Sequence, residues 1–185
     1  MSKGKLFVIS GASGVGKSTV LKRVMEQRKD LVFSVSATTR APRNGEVDGV
    51  HYYFVSRPQF EEMIARNEFL EYDEHHKTYY GTPAKQVEEK QEHGNVILDI
   101  EPNGAFNVRK ARPDATLIFI MPPSWEALEN RLRGRGDTSP EQIEIRLNRA
   151  KWEMEQSAQY DYVVTNGQVD ACAAEILKII AEKAD

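Results

Sequence analysis

Leu6-Phe7-Val8-Ile9-Ser10-Gly11-Ala12-Ser13-Gly14-Val15-Gly16-Lys17-Ser18-Thr19-Val20-Leu21 opens the chain's first recognisable unit. Gly11 to Ser18 fills the pattern G-x-x-x-x-G-K-[ST] at every fixed position. Leu6 to Ile9 reads as a short buried strand, and Thr19 to Met25 begins a helical pattern. A strand, a glycine loop and a helix start form a nest of backbone N–H groups that, with the helix dipole, suits phosphate. Lys17 can then reach the β- and γ-phosphates of a nucleoside triphosphate, and the Ser18 hydroxyl can hold Mg²⁺. A simple Gly/Ser turn would need neither Lys17 nor the fixed spacing. The loop alone does not say what receives the phosphate.

Beyond the first helix, Val32 to Val35 suggests a second strand, and then the texture changes. Residues 36–49 are polar, with one Pro and two Gly, and read as turns. Val50 to Val55, with three aromatics, reads as a strand. Ser56 and Gln59 form a capping box for a short helix through Arg66. Phe69 to Tyr72 and Thr78 to Gly81 are further strand pieces. The run from Ser36 to about Thr82 therefore predicts an inserted, mostly antiparallel lobe.

Thr82-Pro83 starts a polar helix ending near Gly94, with Pro at its first turn. Val96 to Ile100 is an apolar run broken by one acid, as in a strand buried on both faces. A helix to about Arg112 follows, then the buried strand Thr116 to Met121. Ser124 caps the next helix, and Ser139-Pro140-Glu141-Gln142 combines cap, Pro and capping box for another. Tyr162 to Val164 is the last strand. A closing helix carries Cys172, Ile176, Ile179 and Ile180 on one stripe. Trp125 and Trp152 read as packing residues. Buried strands alternating with helices predict an α/β fold: a parallel sheet flanked by helices, with right-handed crossovers.

With 185 residues, 40% of them hydrophobic and 29% charged, the chain suits one sizeable core with small insertions. A net charge of −3 leaves no general footprint for nucleic acid. The single cysteine excludes an internal disulfide and fits a reducing cytosol. A strand within a few residues of the N-terminus leaves no room for a signal peptide, and no apolar run is long enough to span a membrane. The expectation is a cytoplasmic protein of small-molecule substrates, with no membrane, nucleic-acid or obligatory protein partner.

In the lobe, Arg40 and Arg43 stand three apart beside Ser36, and Tyr52 follows. Guanidinium groups fork onto phosphate and Tyr hydroxyls can add to them; the alternative is a solvated surface. A phosphate loop favours the first reading, because transfer to a phosphate acceptor must hold two anions together.

At this point a resemblance enters. Ser36-Ala37-Thr38-Thr39-Arg40-Ala41-Pro42-Arg43-Asn44-Gly45-Glu46, then Gly49 and Tyr52, closely match the GMP-lobe signature of guanylate kinases. The likeness runs from the phosphate loop to the C-terminal helix. It implies a P-loop nucleoside monophosphate kinase that transfers the ATP γ-phosphate to GMP, and to dGMP, giving the diphosphate and ADP with Mg²⁺. By matching positions, Gly11 to Thr19 and Asn166 would bind ATP. Ser36, Arg40, Arg43, Tyr52 and Tyr80 would hold the GMP phosphate or its surroundings.

Glu71 matches the acid that reads guanine. Guanine's N1–H and exocyclic amine suit one carboxylate, while its O6 needs a donor, which Ser36 or Thr82 could supply. Adenine would leave these groups unpaired, and such sites discriminate by roughly 10⁴ or more. Glu71 could instead be a strand acid facing water, and Thr82 could be the N-cap of the helix that Pro83 begins. Asp99 and Glu101 bracket Ile100 on one face of a strand end, where ligands collect in open α/β sheets. They would handle GMP or, for Asp99, a Mg²⁺-bound water beside Ser18, unless they are structural. Asn103 stands where the family has Gln.

Arg131, Arg133, Arg135, Arg146 and Arg149 place five arginines in nineteen residues of a net-acidic chain. Arg135 and Arg146 match lid arginines of the family and would, with Lys17 and Arg40, stabilise charge on the transferring phosphoryl group. Arg131 and Arg149 read better as members of Arg–Glu pairs along a helix. After Asn166 the family usually has acids, whereas this chain has Gly167-Gln168. The expected division is a P-loop core at 1–35, 83–126 and 147–185, a GMP lobe at 36–82 and a lid at 127–146. A scaffold module of the same fold, holding a phosphopeptide, would typically have a degraded loop. Here Lys17, Ser18 and the lid arginines are intact.

Overall fold

The computed structural model describes residues 3–75, 77–134 and 139–184. In chain order its elements begin β1 (Leu6–Gly11), α1 (Lys17–Gln27), β2 (Leu31–Phe33), β3 (Ala37–Thr38), β4 (Tyr53–Phe54), α2 (Arg57–Ala65), β5 (Phe69–His75) and β6 (Thr78–Pro83). They continue α3 (Ala84–Gln91), β7 (Asn95–Asp99), α4 (Pro102–Ala111), β8 (Thr116–Met121), α5 (Trp125–Arg133), α6 (Pro140–Glu155), β9 (Tyr162–Thr165) and α7 (Val169–Ala184). Two compact units result. One takes the chain up to Phe7 together with Asp30–Ala115, the other Val8–Lys29 together with the chain from Thr116 on.

The parallel sheet is ordered β2-β7-β1 in the first unit and β1-β8-β9 in the second, β1 belonging to both. Leu6 to Ile9 and Leu117 to Ile120 are fully buried. That is why these strands are continuous apolar runs: helices cover both faces, so no position faces water. This is the α/β architecture the alternation predicts. In the second unit α1 packs on α7, burying Val20, Leu21 and Val24 of one and Cys172, Ile176, Ile179 and Ile180 of the other. Each such aliphatic side chain contributes about 1.5–3 kcal/mol when fully buried.

The first unit also holds a separate sheet, β4-β3-β6-β5, in which β3/β6 and β5/β6 are antiparallel and β3/β4 parallel. Its mostly antiparallel character agrees with the sequence. The Ser56/Gln59 capping box forms and starts α2. That helix seats Phe60 with ring centroids 4.3 Å from Phe69 and 4.9 Å from Tyr79. Such stacks add about 0.5–1.5 kcal/mol each beyond burial.

Three local expectations change. The strand expected from Val50 to Val55 contracts to Tyr53–Phe54, because the N–H groups of Val50 and His51 donate to the Val47 carbonyl and close a turn. The helix expected at Thr82-Pro83 begins at Ala84 with Pro83 as N-cap; Thr82 stays in β6, so it caps nothing. Trp125 on α5 and Trp152 on α6 are not core but 39% and 42% exposed. Among the described residues no helix is long and apolar enough to cross a membrane.

Candidate active site

The phosphate loop leaves β1 at Gly11 and enters α1 at Lys17, with Gly16 as N-cap at φ 89°. Only glycine takes that left-handed conformation at little cost. No side chain caps α1 and no acid stands in its first turn, so its N-terminal N–H groups and positive dipole end meet no carboxylate of their own helix. Lys17 opens the helix, with Ser18 and Thr19 exposed beside it.

Groups behind the loop fix its peptides. The Val15 carbonyl accepts from Arg131 Nη1 at 3.0 Å and from Asn166 Nδ2 at 2.8 Å. Asn166 is itself buried, and its N–H donates to the Met121 carbonyl at the end of β8. The Ser13 N–H donates to Glu153 Oε2 at 2.7 Å, while Glu153 Oε1 accepts from Arg149 Nε at 3.1 Å. Arg146 Nε approaches Ser13 Oγ at 3.4 Å. A methyl on Gly14 would come within 2.6 Å of Leu132 Cδ2, so α5 also sets the loop's shape. Arg149 thus sits in an Arg–Glu pair as its spacing suggests, whereas Arg131 serves the loop. Arg135 lies outside the described residues.

The other candidate residues belong to the first unit. Arg40 forks onto Glu46, Nη1 to Oε2 at 2.8 Å and Nη2 to Oε1 at 2.9 Å. The Arg43 N–H donates to the same carboxylate at 2.6 Å. The guanidinium lies 5.3 Å from the Tyr52 ring centroid and 5.7 Å from that of Phe54, within cation–π reach. Tyr52 and Tyr80 meet edge to face at 6.0 Å. The Glu46 hydrogen bonds, with a further one to Tyr80, raise the Arg40 pKa beyond its ordinary range. In turn Arg40, then the Arg43 N–H, hold Glu46 down to about 2. Both groups are therefore charged at any physiological pH. Thr38 sets the backbone here: its Oγ1 accepts from the Arg40 N–H at 3.2 Å and donates to the Tyr79 carbonyl at 2.9 Å. The Ser36 carbonyl accepts from Tyr53 N–H at 2.9 Å, which attaches β4.

Glu71 on β5 stands opposite Thr82 on β6 in the antiparallel register. Both are buried, and Thr82 Oγ1 donates to Glu71 Oε1 at 2.6 Å. Burial pushes the Glu71 carboxyl up to about 7; the Thr82 hydroxyl opposes that, and the charges of Asp73 and Glu101 add to it. Asp99 ends β7, and Glu101 is the N-cap of α4. Asn103, the departure from the family's Gln, brings Nδ2 to 3.5 Å from Asp73 Oδ2.

Structure thus joins Arg40, Arg43, Tyr52 and Tyr80 in one cluster and Glu71 with Thr82 in another, and ties Ser13, Val15, Arg146 and Asn166 together at the loop. Glu46 and Glu153 were not singled out from the sequence. Glu46 lies inside the quoted signature, but nothing in its spacing announces a fork to Arg40. Glu153 meets Ser13 across 140 residues, which no local pattern reveals.

A family model described as guanylate kinase matches residues 3–183. The chain is 49% identical over 179 residues to the guanylate kinase of Thermus thermophilus, covering 96% of this chain and 81% of that one. It is 47% identical over 177 residues to the guanylate kinase of Prochlorococcus marinus, covering 95% and 96%. Among solved structures, the crystal structure of guanylate kinase from Anaplasma phagocytophilum superposes with a TM-score of 0.80 at 34% identity, over 99% of this chain and 87% of that one.

Proposed function

Because the chain belongs to the guanylate kinase family and accordingly transfers the γ-phosphate of ATP to GMP, we propose that its residues divide the task into donor and acceptor groups. Gly11 to Thr19 hold the ATP phosphates, with Lys17 at the transferring end. Asn166 serves the ATP site by bracing Val15, whatever contact it makes with adenine. Arg40, Arg43, Tyr52, Tyr80 and Ser36 hold the acceptor phosphate, and Glu71 with Thr82 reads the base. Asp99 and Glu101 line the acceptor nucleotide. The observation that carries this reading is the buried Glu71–Thr82 pair: one oxygen is already held, and the carboxylate is otherwise matched to guanine's two adjacent donors.

The acceptor is a phosphate oxygen that is already ionised near neutral pH, so the reaction needs no general base. Positioning and charge stabilisation supply the catalysis. Lys17, Arg40, Arg43, Arg135 and Arg146 offset the repulsion between two anionic substrates. Residues 127–146 act as a lid and 36–82 as a GMP lobe, and their closure excludes water that would hydrolyse ATP.

Among the described residues no cluster of three or more His, Cys, Asp or Glu could cage a metal. Ser18, exposed in the first turn of α1, offers a hydroxyl oxygen to an Mg²⁺ ion held mainly by substrate phosphates. Ser18 is the residue to hold it, with Asp99 acting through water. When bound, the ion neutralises charge on the β- and γ-phosphates. A cytoplasmic setting belongs to the same reading, as does acceptance of dGMP. ATP-dependent ADP release with GMP, dGMP, AMP and UMP side by side tests it. Turnover with GMP and dGMP is expected; equal rates with AMP, or no stimulation by GMP, would refute the assignment.

A further inference from the structure

Gly104 occupies the first turn of α4, two residues after Pro102. Its backbone does not lie in the left-handed region, so its φ does not require glycine. Glycine is also among the poorest residues for a helix, and alanine the best. What distinguishes Gly104 is the space beside it. A Cβ there would lie 2.8 Å from Glu71 Oε2, 3.3 Å from the Glu71 carboxyl carbon and 3.4 Å from Ile100 Cδ1.

We propose that Gly104 is a specificity-determining position: by carrying no side chain, it leaves the space in which the Glu71 carboxylate is presented to the base of the acceptor nucleotide. The inference rests on the reading of Glu71 as the guanine-recognising acid. Its physical basis is a conflict of constraints. Glu71 Oε1 is tied to Thr82 at 2.6 Å in a buried setting, so the carboxylate has little freedom to yield. A methyl at residue 104 must nevertheless move it, because a 2.8 Å contact with a Cβ is not sustained. Restoring ordinary van der Waals contact needs a shift of about 0.5 Å or more, which is about the tolerance within which a binding constellation works. The tight neighbour is the end of a side chain rather than backbone. The fold can therefore absorb the methyl, while the hydrogen-bond geometry toward a purine cannot.

A double-mutant cycle tests this with four proteins: wild type, Gly104→Ala, Glu71→Ala and the double variant. Each is measured for GMP affinity by calorimetry, KM for GMP and for ATP, the kcat/KM ratio of GMP to AMP, and thermal midpoint. For Gly104→Ala the expected result is an unchanged or raised midpoint and KM for ATP within about twofold, with GMP weakened about tenfold or more and a matching loss of GMP-over-AMP preference. In the Glu71→Ala background, the same methyl should change GMP binding by less than about twofold, because no carboxylate remains to be displaced.

If Gly104→Ala binds GMP like wild type while Glu71→Ala does not, the inference is overturned and the base-reading role stands. If Glu71→Ala itself leaves GMP binding unchanged, the underlying reading fails instead. Equal losses from Gly104→Ala in both backgrounds, or parallel losses of GMP, ATP and thermal midpoint, would also overturn the inference.

Discussion

The Thr82 hydroxyl donates a 2.6 Å hydrogen bond to the Glu71 carboxylate inside the protein, yet burial still raises that carboxyl from 4.5 to about 7. One short bond from a neutral donor does not replace the water that a carboxylate loses on burial, and Asp73 and Glu101 add repulsion.

A pH dependence follows. Between about pH 4.5 and 7 the folded chain keeps a proton on Glu71 that the unfolded chain has released, so this group's contribution to stability falls as pH rises through that window. Glu71→Gln cannot ionise. Without ligand, it should match wild type near pH 4.5 and exceed it at pH 8 by about 1–3 kcal/mol in urea denaturation. On the proposed reading GMP takes the ionised acid, so its binding at pH 7, where that carboxyl is about half protonated, should release about half a proton. Calorimetry in buffers of different ionisation enthalpy should detect that release in wild type and lose it in Glu71→Gln.

Glu46→Gln should raise KM for GMP about tenfold while leaving KM for ATP within about twofold, since it removes one charge-assisted arm of the fork that aims Arg40. Steady-state kinetics with each substrate varied in turn gives the answer. Glu46 titrates well below the ordinary carboxylate value, so its hold on Arg40 is complete above about pH 4.5 and is lost only as pH falls toward 2.

Arg131→Ala should do the reverse. Loss of the guanidinium leaves the Val15 carbonyl with the Asn166 amide alone among its described side-chain donors, and the loop peptide becomes freer to turn. A hydrogen bond from a charged donor is worth about 1.5–3 kcal/mol, so KM for ATP should rise about tenfold or more with KM for GMP little changed. Arg131→Lys, which lacks the planar fork, should recover only part of the loss.

Glu153→Ala should lower the thermal midpoint by several degrees, because it removes the buried carboxylate that accepts from the Ser13 N–H and from Arg149. The penalty is about 1–3 kcal/mol, or roughly 2–10 °C in a chain of this size. Glu153→Gln retains a carbonyl acceptor for Ser13 and should lose less. Differential scanning calorimetry on both variants compares them directly.

The fold was legible wherever a local signal and its tertiary setting agree. Gly11 to Ser18, the Ser56/Gln59 box and the apolar run of Thr116 to Met121 each name their structure. Local signals misled where distant partners decide. Bulk alone makes Trp125 and Trp152 read as packing residues, yet they are 39% and 42% exposed. The aromatics of Val50 to Val55 favour a strand, but the Val47 carbonyl captures the two N–H groups that would have extended it. At the candidate site, the residues proposed to face a ligand were nameable from the sequence by matching positions. Those that hold the facing residues were not. Glu46, Glu153 and Gly104 act through spatial proximity, and Gly104 acts through the atoms it lacks.

A lone guanidinium beside a small acidic protein's surface would be an indiscriminate trap in a cell crowded with polyanions. Arg40 is not left in that state: its fork is filled by Glu46 and its flank by Tyr52, so the pair is electrically quiet before any nucleotide arrives. On the proposed assignment, inorganic phosphate or sulfate, offering one tetrahedral face and nothing else, would have little to gain there. A monophosphate attached to a base that also engages Glu71 gains from two places at once. On that assignment Glu46 would work as a threshold as well as an aiming arm, and the acceptor cluster would answer to the whole nucleotide rather than to its charge.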